Sequence, residues 1–231
     1  MIKVDANVQN TKALAKIEIN DMEIKKKIYK IFKRIVDILG ALFGCIILIP
    51  LTIGIFIANV ISKDNGPIFY VQKRIGKNGK KFKMIKYRSM VVNADQKLRR
   101  YLLDNPKANE EFVKYRKLKE DPRITPIGDF IRKTSLDEFP QFINVLKGDM
   151  SLVGPRPYLP REKRAMGKAY KEIIKVKPGL TGPWQVAGRS EISLSERLKM
   201  DIEYVENENL KNDTKYFFGT FTKIFSKKGA I

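Results

Sequence analysis

Histidine is missing from all 231 residues, cysteine and tryptophan occur once each, and acids are scarce, 25 Asp+Glu against 46 Lys+Arg. Without imidazole, His-ligated zinc sites, Ser-His-Asp triads and histidine general bases are excluded together. The lone Cys45 excludes an internal disulfide framework and, inside an apolar run, reads as a small packing residue. No internal repeat, low-complexity tract or inserted second domain is visible. A secretory signal peptide is not expected either, because the long apolar run starts late, extends far and has no small-residue cleavage pattern. Catalysis in such a chain rests on carboxylates, cations and metal ions.

The apolar fraction, 43%, suffices for a sizeable core, and the net charge of +21 calls for an anionic partner. Nucleic acid, acidic lipid headgroups and phosphorylated substrates all satisfy that charge, which does not choose among them.

From Ile35 to Ile61 the chain is almost wholly apolar for about 27 residues, long enough as a helix to cross a bilayer. Pro50 sits in its middle, where a missing N–H and a ring clash kink or break a helix. Both flanks are basic, with Lys25, Lys26, Lys27, Lys30, Lys33 and Arg34 before it and Lys63, Lys73, Arg74 and Lys77 after it. Basic flanks mark the cytoplasmic side, so this symmetry favours a re-entrant helix-break-helix at Pro50 over a single-pass anchor with a tolerated proline. Asp37, costly in lipid, is expected to pair with Arg34 one turn earlier. The expected organisation is a polar lead-in over 1–24, a re-entrant membrane segment over 25–64, and a cytoplasmic catalytic domain over 65–231.

Beyond Gly66-Pro67, two short strands around Gly76-Lys77-Asn78-Gly79 predict a hairpin, since Asn-Gly suits a tight turn. Residues 92–119 predict two charged helices broken near Asn105-Pro106. Short helices follow over Ile127–Thr134 and Asp137–Leu146, then two Gly/Pro-rich loops, 147–157 and 177–190. Leu194, Leu198, Ile202 and Val205 mark a helix with one apolar face. Phe217, Phe218, Phe221, Ile224 and Phe225 opposite Lys215, Lys223, Lys227 and Lys228 fit either an interfacial amphipathic helix or one packed on the core. The fold class is a helix-rich, membrane-attached α/β unit with a minor hairpin.

The run Thr134-Ser135-Leu136-Asp137-Glu138-Phe139-Pro140-Gln141 sets adjacent carboxylates among Arg123, Arg132, Lys133, Lys147 and Arg156. Acids can hold a divalent cation or attack phosphorus, while guanidiniums grip phosphate oxygens bidentately, so the combination suggests phosphoryl chemistry. Ser135-Leu136-Asp137-Glu138 is also a capping-box pattern, and the two readings are compatible. Arg156, in a proline-stiffened Gly-Pro-Arg-Pro loop, suits a phosphate clamp or an ion pair with Asp149; Lys86, Arg88, Arg123 and Arg189 share that ambiguity.

Ordered motifs resolve it. Lys33-Arg34-x-x-Asp37, the central Pro50, Gly66-Pro67-x-Phe69, Gln72-x-Arg74-x-Gly76, Lys86-x-Arg88-Ser89-Met90 and Ala94-Asp95 are followed by Asp121-Pro122-Arg123-Ile124-Thr125 and Ser135-Leu136-Asp137-Glu138-x-Pro140-Gln141. Then come Asn144-Val145-x-x-Gly148-Asp149-Met150-Ser151, Val153-Gly154-Pro155-Arg156-Pro157 and Pro178-Gly179-x-Thr181-Gly182-x-Trp184-Gln185-Val186. From Lys33 to about Phe225 the chain resembles the bacterial sugar transferases, the small monotopic phosphoglycosyl transferases. That resemblance implies transfer of a sugar-1-phosphate from a UDP-sugar to undecaprenyl phosphate with release of UMP, a Mg²⁺ cofactor and a re-entrant membrane helix. It implies Asp137 as nucleophile, forming a covalent aspartyl phosphosugar, and Glu138 as its partner, both disposed to hold the metal. Arg132 and Arg156 would grip phosphates, with Lys86, Arg88 and Arg189 as weaker candidates. Ile49 departs from relatives that carry serine before this proline. Larger relatives place transmembrane helices ahead of this unit, so the minimal form is expected here.

Such enzymes work at the cytoplasmic face of the inner membrane, among membrane lipids, and begin capsule, exopolysaccharide, O-antigen or glycoprotein glycan assembly. A second copy of the chain and downstream glycosyltransferases are the further partners implied. Nucleic acid is not expected. A membrane-tethered nucleic-acid-binding protein and a noncatalytic scaffold are the rival readings, the first resting on the charge alone.

Overall fold

A computed structural model describes residues 2–115, 118–188 and 192–225. Its first element is a single α-helix, α1 (Ile2–Ile61), that runs through Pro50 without interruption. The break expected at Pro50 is therefore corrected to one continuous helix. Proline removes one helical hydrogen bond and adds a ring clash, which neighbouring contacts can offset. Here Thr52 Oγ1 donates to the Leu48 carbonyl at 2.7 Å and meets the Tyr87 hydroxyl at 2.6 Å, while Leu48, Leu51 and Ile55 pack with Tyr87 and Ile131 on both sides of the proline.

One face of α1 is buried against the rest of the chain, at Asp37, Ala41, Leu48, Ile55 and Asn59, a spacing of four and seven residues that keeps to one stripe. Away from that stripe, Phe43, Ile46, Ile49, Ile53, Phe56 and Ile61 are exposed. Gly44 allows the close approach, since a Cβ there would lie 2.4 Å from the Phe142 ring.

The expected Arg34–Asp37 pair does not form. Asp37 instead accepts from Ser151 Oγ at 2.9 Å and the Leu152 amide at 2.8 Å, and Arg34 donates to the carbonyls of Val145 and Leu146 at 2.8 and 2.9 Å. Lys33 reaches Asp213 at 2.5 Å and the Val153 carbonyl at 3.0 Å. Burial of this stretch against protein rather than lipid supplies partners that an isolated helix would have had to find on itself. These three side chains moor α1 to the domain.

Strands β1 (Phe69–Ile75) and β2 (Lys81–Tyr87) form the antiparallel hairpin expected at Asn78-Gly79, with Asn78 at φ 56° and Gly79 at φ 77° in the turn. Helices α2 (Ala94–Asp104) and α3 (Pro106–Tyr115) divide at Asn105, and α4 (Pro126–Lys133) is capped by the Thr125 side chain accepting from the Gly128 amide. Helix α5 (Gln141–Lys147) is fixed to β2 by buried Asn144, which accepts from the Ile85 amide at 3.0 Å and donates to the Lys83 carbonyl at 2.8 Å.

The two Gly/Pro-rich loops each contain a three-residue strand, β3 (Ser151–Val153) and β4 (Gly179–Thr181), paired in parallel. Between them lie α6 (Lys163–Met166) and α7 (Ala169–Ile173); after them come α8 (Pro183–Ala187), α9 (Leu194–Glu206) and α10 (Leu210–Phe225). The main core joins Ala41, Phe82, Met84, Val145, Met150, Leu152, Val153, Tyr204 and Val205. In α10, Tyr216 and Phe217 pack against that core while Phe218 is exposed, so this helix is docked on protein; the side chains of Phe221 and of residues 223–228, expected to extend its interfacial face, lie outside the described residues.

Candidate active site

Asp137 and Glu138 stand in a single 3₁₀ turn, Leu136–Glu138, between α4 and α5. Leu136 and Phe139 join the cluster of Leu48, Ile55, Tyr87 and Ile131, and buried Pro140 follows. A three-residue period places residues 136 and 139 on one side, which turns the acids to the other. The predicted α-helix from Asp137 is thereby shortened to begin at Gln141.

The capping box expected at Ser135 does not form. Ser135 takes φ 58°, ψ 17° and makes no side-chain cap bond. An N-cap needs extended φ/ψ for its oxygen to reach the following amides, and a left-handed residue cannot offer it. Glu138 is turned to Lys86, whose Nζ lies 2.9 Å from its Oε1 and 3.9 Å from Asp137 Oδ2. Lys86 thus sits against the acid pair in the wall of the cleft.

Burial, then the neighbouring Glu138 charge, pushes the Asp137 carboxyl up to about 6, against the pull of Lys86 and Arg132. A carboxylate so destabilised gains from any further cation or from forming a covalent bond. Among the described residues no group of three or more Cys, Asp or Glu could hold a metal ion. The Asp137–Glu138 pair alone still fits a Mg²⁺ ion, which takes few protein carboxylates and completes its shell with phosphates and water.

The acids open on a cleft of about 940 Å³ lined also by Tyr70, Gln72, Arg132, Arg156, Arg161, Trp184, Gln185 and Arg197. Its arginines divide into two sorts. Arg88 is buried, held by Asp64 through Nη1 and Nη2 at 3.0 and 2.9 Å and by the Pro67 and Met90 carbonyls, and Arg123 is bound bidentately by Asp121. Both are held by acids of the protein while also lining the cleft.

Arg132 and Arg156 differ. The Arg132 guanidinium is half-buried in the cleft wall and makes no hydrogen bond among the described residues. Arg156 does not pair with Asp149; its nearest carboxylate is Glu162, at 3.9 Å, and its guanidinium packs over the Trp184 ring, 5.2 Å from the centroid. Its loop is fixed by buried Asp201, which accepts from the Arg156 amide at 3.2 Å and the Tyr158 hydroxyl at 2.8 Å. Arg189 lies outside the described residues.

Arg161 and Arg197 were not singled out by sequence reasoning. Arg197 carries no local signal, since its neighbours Trp184 and Arg156 are distant in the chain. Trp184 and Gln185 fell within a recognised motif but had no assigned role.

The family model of the bacterial sugar transferases matches residues 28–227. The chain belongs to that family. It is 45% identical over 202 residues to the UDP-galactose-lipid carrier transferase of Erwinia amylovora, covering 87% of this chain and 42% of that protein. It is 42% identical over 207 residues to the undecaprenyl-phosphate galactose phosphotransferase of Salmonella typhimurium, 90% of this chain and 43% of that one. With the exopolysaccharide production protein ExoY of Sinorhizobium fredii it shares 40% identity over 200 residues, 87% of this chain and 88% of the relative. The sugar transferase thus spans less than half of the first two relatives and most of the third.

Proposed function

We propose that this sugar transferase moves a sugar-1-phosphate from a UDP-sugar to undecaprenyl phosphate, releasing UMP, as the first step of assembling an exopolysaccharide or related surface glycan. The observation that carries the reading is the Asp137–Glu138 turn, a destabilised carboxylate facing an arginine-lined cleft beside an apolar helix.

Asp137 attacks the sugar-bearing phosphorus of the donor. The bond from that phosphorus to the oxygen bridging to UMP breaks, UMP leaves with the electron pair, and an aspartyl phosphosugar remains. An oxygen of undecaprenyl phosphate then attacks the same phosphorus, the Asp137 carboxylate leaves, and the lipid diphosphosugar is released. Lys86 holds Glu138 in place, and Arg132 and Arg156 orient the phosphate oxygens and stabilise charge developing on them. Mg²⁺, held by Asp137, Glu138 and substrate phosphates, would neutralise the diphosphate.

In this reading the protein sits at the cytoplasmic surface of the inner membrane, and the way α1 is held supports attachment without crossing. Arg34 near one end of the apolar stretch bonds to α5, and Asp64 just past its other end bonds to Arg88. A polar domain that grips both ends of about 40 Å of helix cannot do so from one side of a bilayer that the helix crosses. The exposed apolar face of α1 is then the part that enters lipid.

Incubation with sugar-labelled donor and no acceptor should leave label on the wild-type chain with release of one UMP, and none on Asp137→Asn. Labelled protein in that variant would overturn the covalent step, and undiminished glycan synthesis would favour the scaffold reading. For the topology, cysteines placed at Asn20 and Asn78 should react alike with an impermeant thiol reagent; opposite reactivity means a crossing helix.

A further inference from the structure

The wall of the cleft formed by α8 and α9 concentrates positive charge without matching acids. Arg156 and Arg197 both pack over the single Trp184 ring, each guanidinium 5.2 Å from its centroid. Buried Arg74 stands close by, donating to the Pro157 carbonyl at 2.9 Å and to Gln72 at 2.5 Å. Burial, and then the Arg156 charge, pull Arg74 down to about 10, and the same two causes in the same order lower Arg197. Asp201 offers them little, because burial pushes its carboxyl up to about 7 and its bonds go to the Tyr158 hydroxyl and the Arg156 amide. Glu162 lies 3.9 Å from Arg156, and both Glu162 and Glu138 act on Arg74.

Two N–H donors on α8 and α9, Trp184 Nε1 and Arg197 Nε, are buried with no partner among the described residues, as is Arg74 Nε beside them and as are two acceptors, Gln185 Oε1 and Asp201 Oδ1. A buried donor without an acceptor is costly, and two at one place mark where an acceptor-rich group belongs. The indole face attracts both guanidiniums and so offsets part of their repulsion, keeping two planar donor forks side by side.

We propose that Arg156 and Arg197, aligned by Trp184, form the subsite for the diphosphate of the nucleotide donor. Arg197 contacts the phosphate oxygens directly. Trp184 is a positioning residue that sets the spacing of the two arginines, and Asp201, one helical turn beyond Arg197 on α9, positions the Arg156 loop. A diphosphate presents oxygens on two linked phosphorus atoms, one for each fork, which a lipid monophosphate does not. This rests on the transferase reading above, in which the donor is a UDP-sugar.

Because Trp184 is the only tryptophan, the intact membrane-bound protein carries its own probe. Titration with UDP, and separately with inorganic pyrophosphate, should change its fluorescence saturably, and Arg197→Met should weaken both responses about tenfold to a hundredfold. In turnover the same variant should raise KM for the UDP-sugar by a similar factor while KM for undecaprenyl phosphate stays put. If Arg197→Met does not fold, Arg197→Lys, which keeps charge and loses the fork, carries the comparison. A response to undecaprenyl phosphate alone, or unaltered UDP binding in the variant, overturns the subsite. UDP binding at Trp184 without any UMP release would sink the transferase chemistry and leave the subsite standing; UMP release with an unchanged donor KM in the variant would do the reverse.

Discussion

Ser135-Leu136-Asp137-Glu138 and Ser193-Leu194-Ser195-Glu196 agree at three of four positions, yet only the second builds a helix cap. Ser193 is extended, at φ −62° and ψ 160°, its side chain accepts from the Glu196 amide at 3.3 Å, and its own amide donates to the Glu196 carboxylate at 2.9 Å. Ser135 is left-handed, and Glu138 faces Lys86. Residues 193–196 are largely exposed, so local geometry decides there. At 135–138, burial of Leu136 and Phe139 against α1 and β2 overrides the local preference and leaves the acids displayed to the cleft. A cap sequence becomes a reactive turn when the tertiary contacts on either side of it outweigh the cap, which contributes about 1 kcal/mol.

The sharpest way to separate the two segments is at their carboxylates. Asp137→Asn should cut UMP release at least roughly a thousandfold while the thermal melt stays put, because a neutral amide cannot attack phosphorus. Next in size, Arg88→Met should cost about 3 kcal/mol of stability, read by denaturant unfolding, by leaving Asp64 and two carbonyls without their donor; activity per folded molecule should hold, whereas Arg132→Met should do the opposite. Ser193→Ala should lose about 1 kcal/mol through its cap. Finally, kcat/KM should fall as pH drops through about 6, where Asp137 takes up its proton. Glu138→Gln removes a charge that raises that value and should move the acid limb lower, while Glu196→Gln should leave it in place.

Local features were legible in the sequence: the hairpin at Asn78-Gly79, the helix break at Asn105-Pro106 and the apolar face of α9 each need only near neighbours. That the acid pair and Arg156 line one cleft was legible from the motif-bearing loops that carry them. What escaped depends on distant partners. Arg88 and Arg132 look alike until Asp64 folds beside one of them. Arg197 meets Arg156 only through Trp184, and β3 and β4 are too short to show an alternating pattern. Pro50 signalled a break, and packing on both sides of it kept the helix whole.

Tyr29, Lys33 and Tyr204 converge on Asp213, with Tyr29, Lys33 and Tyr204 oxygens or nitrogen 2.8, 2.5 and 2.6 Å from its carboxylate. Lys33 and Asp213 are 180 positions apart. During synthesis, then, the apolar helix leaves the ribosome long before the carboxylate that receives its lysine exists. Until α10 emerges, Arg34 and Asp37 can already bond to residues 145–152 while Lys33 lacks its carboxylate, so the order of translation makes this the last of the three moorings to close.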